Sequence, residues 1–194
     1  MRKKVSVMLV EDDADFAYLT KKMITQDPRL DFLAHISDRA SGVETAKRVR
    51  PDIAVVDLNL SGAGLDGVEA AKEIKLTTGA KILLLTSFEQ PDIIISASKR
   101  AFASGYVFKS QCQTLADTIY ITATSRTPQE QFIKELALSE LTPAERGVLG
   151  DLIGDNASCS SSQKTKANQK TSIFRKLGLK NTGELIRAFG DWGY

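Results

Sequence analysis

Cysteine, histidine and tryptophan are almost missing from this chain, which has two, one and one of them in 194 residues. Two thiols, Cys112 and Cys159, are too few for a disulfide framework and lack the spacing of a metal-binding pair, so they are expected to be reduced and structural. A single imidazole, His35, is not enough for a zinc site or a histidine-based triad. Long hydrophobic runs are absent too: none approaches the ~20 residues that span a bilayer. The apolar stretch after Met1-Arg2-Lys3-Lys4 is interrupted by Glu11-Asp12-Asp13 before any small-residue cleavage pattern. The expected location is therefore the cytoplasm, with no membrane partner. What remains is an ordinary globular composition, 42% hydrophobic and 26% charged. It suits one core of about 120 residues and a smaller second unit.

Net charge is only +2, but its distribution is uneven. Residues 1–125 carry 16 basic and 16 acidic side chains, whereas residues 126–194 carry 10 and 8. All six cations from Lys164 to Lys180 fall in a stretch with no acid between Asp155 and Glu184. One part is neutral and the other locally basic.

In the first 125 residues apolar runs alternate with helical periodicity, the pattern of βα units around a parallel sheet. Val5 to Val10, Phe32 to Ile36, Ile53 to Val56, Ile82 to Leu85 and Gly105 to Phe108 read as five strands. Ile82-Leu83-Leu84-Leu85 has no polar alternation, as expected of a parallel strand covered on both faces. Stripes such as Phe16, Leu19, Met23 and Ile24, or Leu115, Ile119 and Ala123, mark the helices between and after them. Ser125-Arg126-Thr127-Pro128 then breaks the pattern and opens a partly helical linker over 126–140. In 141–194 the pattern is all helical. Thr142-Pro143-Ala144-Glu145 is a capping box with proline at the first helical position, predicting a helix to about Ile153. Gly154 to Ser162 reads as a loop, and two more helices are predicted from about Ser162 to Leu177, stopped by Gly178, and over about Thr182 to Phe189.

In an open parallel sheet, polar groups at the carboxyl ends of the strands converge on one crevice. Here those ends carry Glu11, Asp12 and Asp13 after strand 1, Asp57 at strand 3, Thr86 at strand 4 and Lys109 at strand 5. Clustered carboxylates repel unless a cation neutralises them, and hard oxygen ligands suit Mg²⁺. Asp57 is the candidate nucleophile for phosphoryl transfer to a carboxylate, with the metal and Lys109 stabilising the equatorial oxygens and Thr86 offering a hydroxyl.

These residues, with Val55-Val56-Asp57-Leu58, Thr86-Ser87 and Gly105-Tyr106-Val107-Phe108-Lys109, resemble the receiver domain of bacterial two-component response regulators over residues 1–125. The resemblance implies an α/β, flavodoxin-like, doubly wound five-stranded parallel sheet. It also implies that Asp57 accepts phosphate from a sensor histidine kinase, that Asp12 and the Asn59 carbonyl bind Mg²⁺ beside Asp57, and that Glu11 is an outer-shell partner. Thr86 and Tyr106 fall at its switch positions, and phosphorylation is expected to favour a homodimer through the face between strands 4 and 5. No separate enzyme activity is implied beyond turnover of the protein's own phosphate, because Asn59 stands where aspartyl-phosphate phosphohydrolases carry a second acid. Three positions depart from the family: Ser61 replaces a proline and opens a longer Gly-rich loop, Phe88 stands where a polar residue would admit water, and Lys109-Ser110 replaces Lys-Pro. A cis bond before a non-proline costs about 3 kcal/mol, so this last change implies either a strained bond or a different loop.

Leu141 to Leu149 resembles the opening of the helix-turn-helix output domain of the LuxR/NarL class, and Ile173-Phe174-Arg175-Lys176-Leu177-Gly178-Leu179 the end of its recognition helix. That resemblance implies transcription control, with Lys164, Thr165, Lys166, Asn168, Gln169 and Lys170 facing DNA. The segment Asp155 to Ser162 is shorter than the family's scaffold helix and poor in helix formers. A second reading therefore stays open, a receiver that signals by protein–protein interaction through helices that do not bind DNA specifically.

Overall fold

The computed structural model of the protein describes residues 3–60, 64, 66–154 and 163–190. Five strands, β1 (Val5–Val10), β2 (Leu30–Ile36), β3 (Ile53–Asp57), β4 (Lys81–Thr86) and β5 (Gly105–Phe108), form one parallel sheet in the order β2-β1-β3-β4-β5. Helices α1 (Ala14–Gln26), α2 (Arg39–Val49), α3 (Asp66–Thr78), α4 (Pro91–Ala101) and α5 (Leu115–Thr124) connect and cover it. This is the doubly wound, flavodoxin-like arrangement expected from the sequence, and its strand order reverses between β1 and β3.

The three central strands show why their sequences lack alternation. Met8 and Val10, Ala54 and Val56, and Ile82 and Leu84 join α2, α3 and α4 in one core. Val7 and Leu9, Ile53 and Val55, and Leu83 and Leu85 meet α1 and α5 in the other. Both faces of each strand are buried, so the period of two survives only as membership of two different cores.

From Lys134 onward the chain forms a second unit. The expected linker is mostly helix: α6 (Pro128–Leu138) starts within the first unit, where Ile133 is buried in the α2–α3–α4 core, and ends in the second. There α7 (Pro143–Ile153), α8 (Gln163–Leu177) and α9 (Thr182–Phe189) bury Val148, Leu149, Ile173, Leu185 and Phe189. The Thr142 capping box closes as predicted, with Glu145 N–H donating to the Thr142 hydroxyl and Thr142 N–H donating to the Glu145 carboxylate. Gly178, at φ +63°, takes the left-handed conformation that ends α8, and the Leu179 N–H donates to the Phe174 carbonyl. The expected loop residues 155–162 lie outside the described residues. Among the described residues, no helix is long and apolar enough to cross a membrane.

Candidate functional site

Parallel pairing brings the strand ends into line. Val10 of β1 is opposite Val56 of β3, and Asp57 is opposite Leu85 of β4, so Glu11, Asp57 and Thr86 emerge on one rim. Helix α3 begins directly against this rim. A Cβ on Gly67 would lie 1.7 Å from the Asp57 carbonyl oxygen, so only glycine lets the helix start there. The Asp-Gly pair at that helix start is the sequence signal that could have disclosed this close approach.

One cation sits among the acids. The Lys109 ammonium lies 2.7 Å from Glu11 Oε2 and 3.2 Å from Asp57 Oδ2, with Glu11 fully buried and Asp57 nearly so. Ligand atoms of Glu11, Asp12 and Asp57 fall within 4.8 Å of one another, and Asp12 is exposed at the rim. The Asp13 carboxylate instead caps α1, accepting from the N–H groups of Asp15 and Phe16 at 3.0 Å each. The ring of His35 donates through Nε2 to the Glu11 carbonyl at 2.8 Å, since a carbonyl oxygen can only accept. The one imidazole thus holds the acidic loop from β2.

Burial pushes the Asp57 and Glu11 carboxyls above the usual range, and Lys109 only partly opposes this. Burial would also depress Lys109, yet the carboxylates of Glu11 and Asp57 outweigh it and hold the ammonium above its ordinary value. One ammonium therefore under-compensates three acids. An all-oxygen donor set with excess negative charge and an exposed carboxylate at its mouth fits a small hard divalent cation.

Around the acids the cleft is lined by Asn59, Ser87 and Phe88. Asn59 donates its backbone N–H to the Asp57 carboxylate. Thr86 is fully buried, and its hydroxyl oxygen accepts from the Phe88 N–H at 2.9 Å, leaving the hydroxyl proton for another acceptor. Phe88 both lines the cleft and packs on the α2–α3–α4 core. Tyr106 is half-buried, edge-on to Phe108 with centroids 5.8 Å apart. The described residues contain no cis peptide bond; Lys109 instead begins a 3-10 turn to Thr114, so the loop differs from a Lys-Pro loop. Ser61 lies outside the described residues.

Sequence reasoning missed Gln129. From α6 its amide accepts from the Tyr106 N–H at 3.0 Å and donates to the Tyr106 carbonyl at 3.4 Å, pairing with the open edge of β5 as a neighbouring strand would. Glu130 on the same turn pairs with Lys81 at 3.0 Å. No local pattern signals either contact, because both span more than twenty residues of sequence.

In the second unit the candidate DNA-facing residues divide. Thr165 and Asn168 are exposed on α8, as is Arg175, which sequence reasoning did not select. Lys166 is instead in an ion pair with Asp151 of α7 at 2.8 Å, and the amide oxygen of Gln169 is buried. Lys170 is half-buried, with its ammonium 5.5 Å from the Phe174 ring centroid. The side chain of Lys164 lies outside the described residues. Glu145 ties the unit together. It accepts from the Ser172 hydroxyl and the Lys176 ammonium, both at 2.7 Å, besides completing the cap.

Comparison with known proteins agrees with this geometry. A family model described as a response regulator receiver domain matches residues 7–120. The transcriptional regulatory protein DesR of Bacillus subtilis is 27% identical over 201 aligned residues, 98% of each chain. A two-component response regulator of the LuxR family from Aurantimonas sp. SI85-9A1 has a solved structure with 29% identity and a TM-score of 0.58, matching 72% of this chain and 100% of that one. In fold, 96% of the chain also resembles 98% of RcsB from Salmonella enterica serovar Typhimurium, solved bound to a promoter (TM-score 0.56, 21% identity).

Proposed function

The chain belongs to the response regulator receiver family, and from that premise we propose that it is the phospho-accepting member of a two-component pair, phosphorylated on Asp57 by a sensor histidine kinase in the cytoplasm and controlling transcription through its C-terminal helices. The observation that carries this reading is the Glu11–Lys109–Asp57 arrangement at the carboxyl end of a doubly wound sheet. Asp57 Oδ attacks phosphorus as the bond to the donor's leaving atom breaks with its electron pair. Lys109 neutralises oxygens of the transferring group, and the Thr86 hydroxyl donates to one of them. Mg²⁺, held by Asp12, Asp57 and the Asn59 carbonyl with Glu11 behind them, would supply charge neutralisation across the same oxygens. Tyr106 and Thr86 act as the switch, and the phosphorylated form self-associates as a homodimer. The protein is a phospho-acceptor that turns over its own aspartyl phosphate and acts on no other substrate.

Asp12→Asn should raise the Mg²⁺ concentration needed for half-maximal labelling, because it removes one hard ligand while leaving the acceptor intact. A Mg²⁺ titration with a small acyl phosphate checks this; an unchanged midpoint would remove Asp12 from the ligand set.

DNA binding is tested by affinity for duplex DNA with and without beryllofluoride across a salt series. Lys170 and Arg175 are the described α8 cations without an ion pair in the structure. Replacing both by Ala should make the slope of log affinity against log salt shallower by about 1.8, two counterion-releasing contacts for B-DNA. Lys166→Ala should leave the slope unchanged, since Asp151 already neutralises that charge. The ion pairs of Lys166 and Lys176 withdraw two of the four described α8 cations from any phosphate, and this favours the second reading, signalling by protein–protein interaction. Salt-independent or undetectable DNA binding would decide for it.

A further inference from the structure

The Lys109 ammonium has three N–H donors, and the two buried carboxylates account for two directions of approach. On a further side lies the face of Phe16, its ring centroid 4.7 Å from Nζ. Phe16 comes from the first turn of α1, and the Asp13 carboxylate that accepts its N–H at 3.0 Å fixes that turn. The loop that supplies Glu11 and Asp12 to the acid cluster therefore also sets the aromatic ring against the cluster's cation. Packing alone explains only part of this placement. The ring is half-buried against the α1–α5 core while its face covers the ammonium of a side chain that is only 17% exposed.

We propose that Phe16 is a positioning residue for phosphoryl transfer at Asp57, acting by holding the Lys109 ammonium between its ring and the acids; this rests on the reading of Asp57 as phospho-acceptor. The attraction of a cation to a π face is broad in direction, unlike a hydrogen bond. As the Asp57 oxygen–phosphorus bond forms and the phosphorus–oxygen bond of an acyl phosphate breaks, the displaced carboxylate leaves with the electron pair. Lys109 must meanwhile move from an Asp57 oxygen to a phosphoryl oxygen. A ring face lets it make that move without losing a partner, and keeps water from taking the donor that the phosphoryl group needs. An aliphatic side chain in the same space fills the volume and excludes water, but it offers the ammonium no attraction.

Two measurements test this on the full chain. In metal-free protein, the Lys109 ε-methylene resonances should be shifted upfield by the ring current in wild type and in Phe16→Trp, and lie at ordinary positions in Phe16→Leu. With acetyl phosphate and Mg²⁺, Phe16→Leu should label Asp57 about three- to tenfold more slowly, the range expected for losing a partly desolvated cation–π contact. Phe16→Trp should restore the rate, and Phe16→Leu should keep the wild-type unfolding midpoint within the small range of volume-conserving core changes. Unshifted wild-type resonances, or equal labelling by Phe16→Leu and wild type, overturn the proposal while leaving Asp57 as acceptor. A wild-type protein that takes up no phosphate overturns the acceptor reading and this proposal together.

Discussion

Asp57→Asn is expected to abolish phosphate uptake from an acyl phosphate plus Mg²⁺, because the amide keeps the shape of the side chain and removes the nucleophilic oxygen. No substitute stands nearby. Glu11 is fully buried behind Lys109, Asp12 is at the exposed rim, and Asp13 is occupied capping α1. Loss of activity through unfolding is told apart by measuring the same variant's resistance to urea. Burial is the main reason the Asp57 carboxyl is raised, so the charged form is held at a cost in metal-free protein. Removing that charge should leave the first unit at least as resistant to urea as wild type. Labelling at the wild-type rate, followed by mass spectrometry of the modified peptide, would show that another group accepts the phosphate.

Glu145→Ala is expected to cost the second unit about 3 kcal/mol, the lower end for breaking a buried ion pair because Lys176 is partly exposed, together with a lost cap. The side chain is 7% exposed, and its carboxylate receives Lys176, Ser172 and the Thr142 N–H. A unit as short as Lys134–Tyr194 has only a few kcal/mol in reserve, so this one change should leave much of α7 to α9 unfolded at room temperature. Amide exchange, read separately in α7–α9 and in the sheet, checks this: protection should fall in the helices and persist in β1, β3 and β4. Glu145→Gln should lose less, since it can still accept from Thr142.

The same carboxylate sets an acid limit. Lys176 first, then Ser172 and the Thr142 N–H, hold Glu145 down to about 2 from its ordinary 4.5. A folded value below the unfolded one means stability that is fully present above about 4.5 and is lost as pH falls toward 2. Asp57 and Glu11 act in the opposite sense. Their raised values mean that these two sites take up protons more readily in the folded, metal-free first unit than in the unfolded chain, whereas Asp27, Asp38 and Asp52 of the same unit are held below the usual range and lose stability in acid as Glu145 does. Glu145 is held furthest down, so acid unfolding followed by helical and by sheet probes should begin in the second unit.

Much of this was legible in the residues alone, for local reasons. Continuous apolar runs in β1, β3 and β4 mark strands buried on both faces, and the order of strands and helices leaves a parallel sheet whose carboxyl ends collect polar groups. Asp57, Glu11, Asp12, Thr86 and Lys109 could thus be grouped from the pattern of strand ends. The Thr142–Glu145 box and Gly178 are short-range signals, and the start of α7 and the end of α8 fall where they place them. Tertiary structure alone decided what each charge does. Periodicity put Phe16 in a core stripe, and only the approach of β5 to α1 makes it a partner of Lys109. The sequence shows a locally basic stretch with DNA-facing candidates, yet two of its cations turn toward Asp151 and Glu145, because those acids are brought alongside from α7. Gln129 and Tyr106 are remote in sequence, and the open edge of β5 that joins them exists only once the sheet has formed. Residue type and spacing settle which elements form. Which ionic groups neutralise one another depends on angstrom-scale separations between elements, and those are a property of the packed fold.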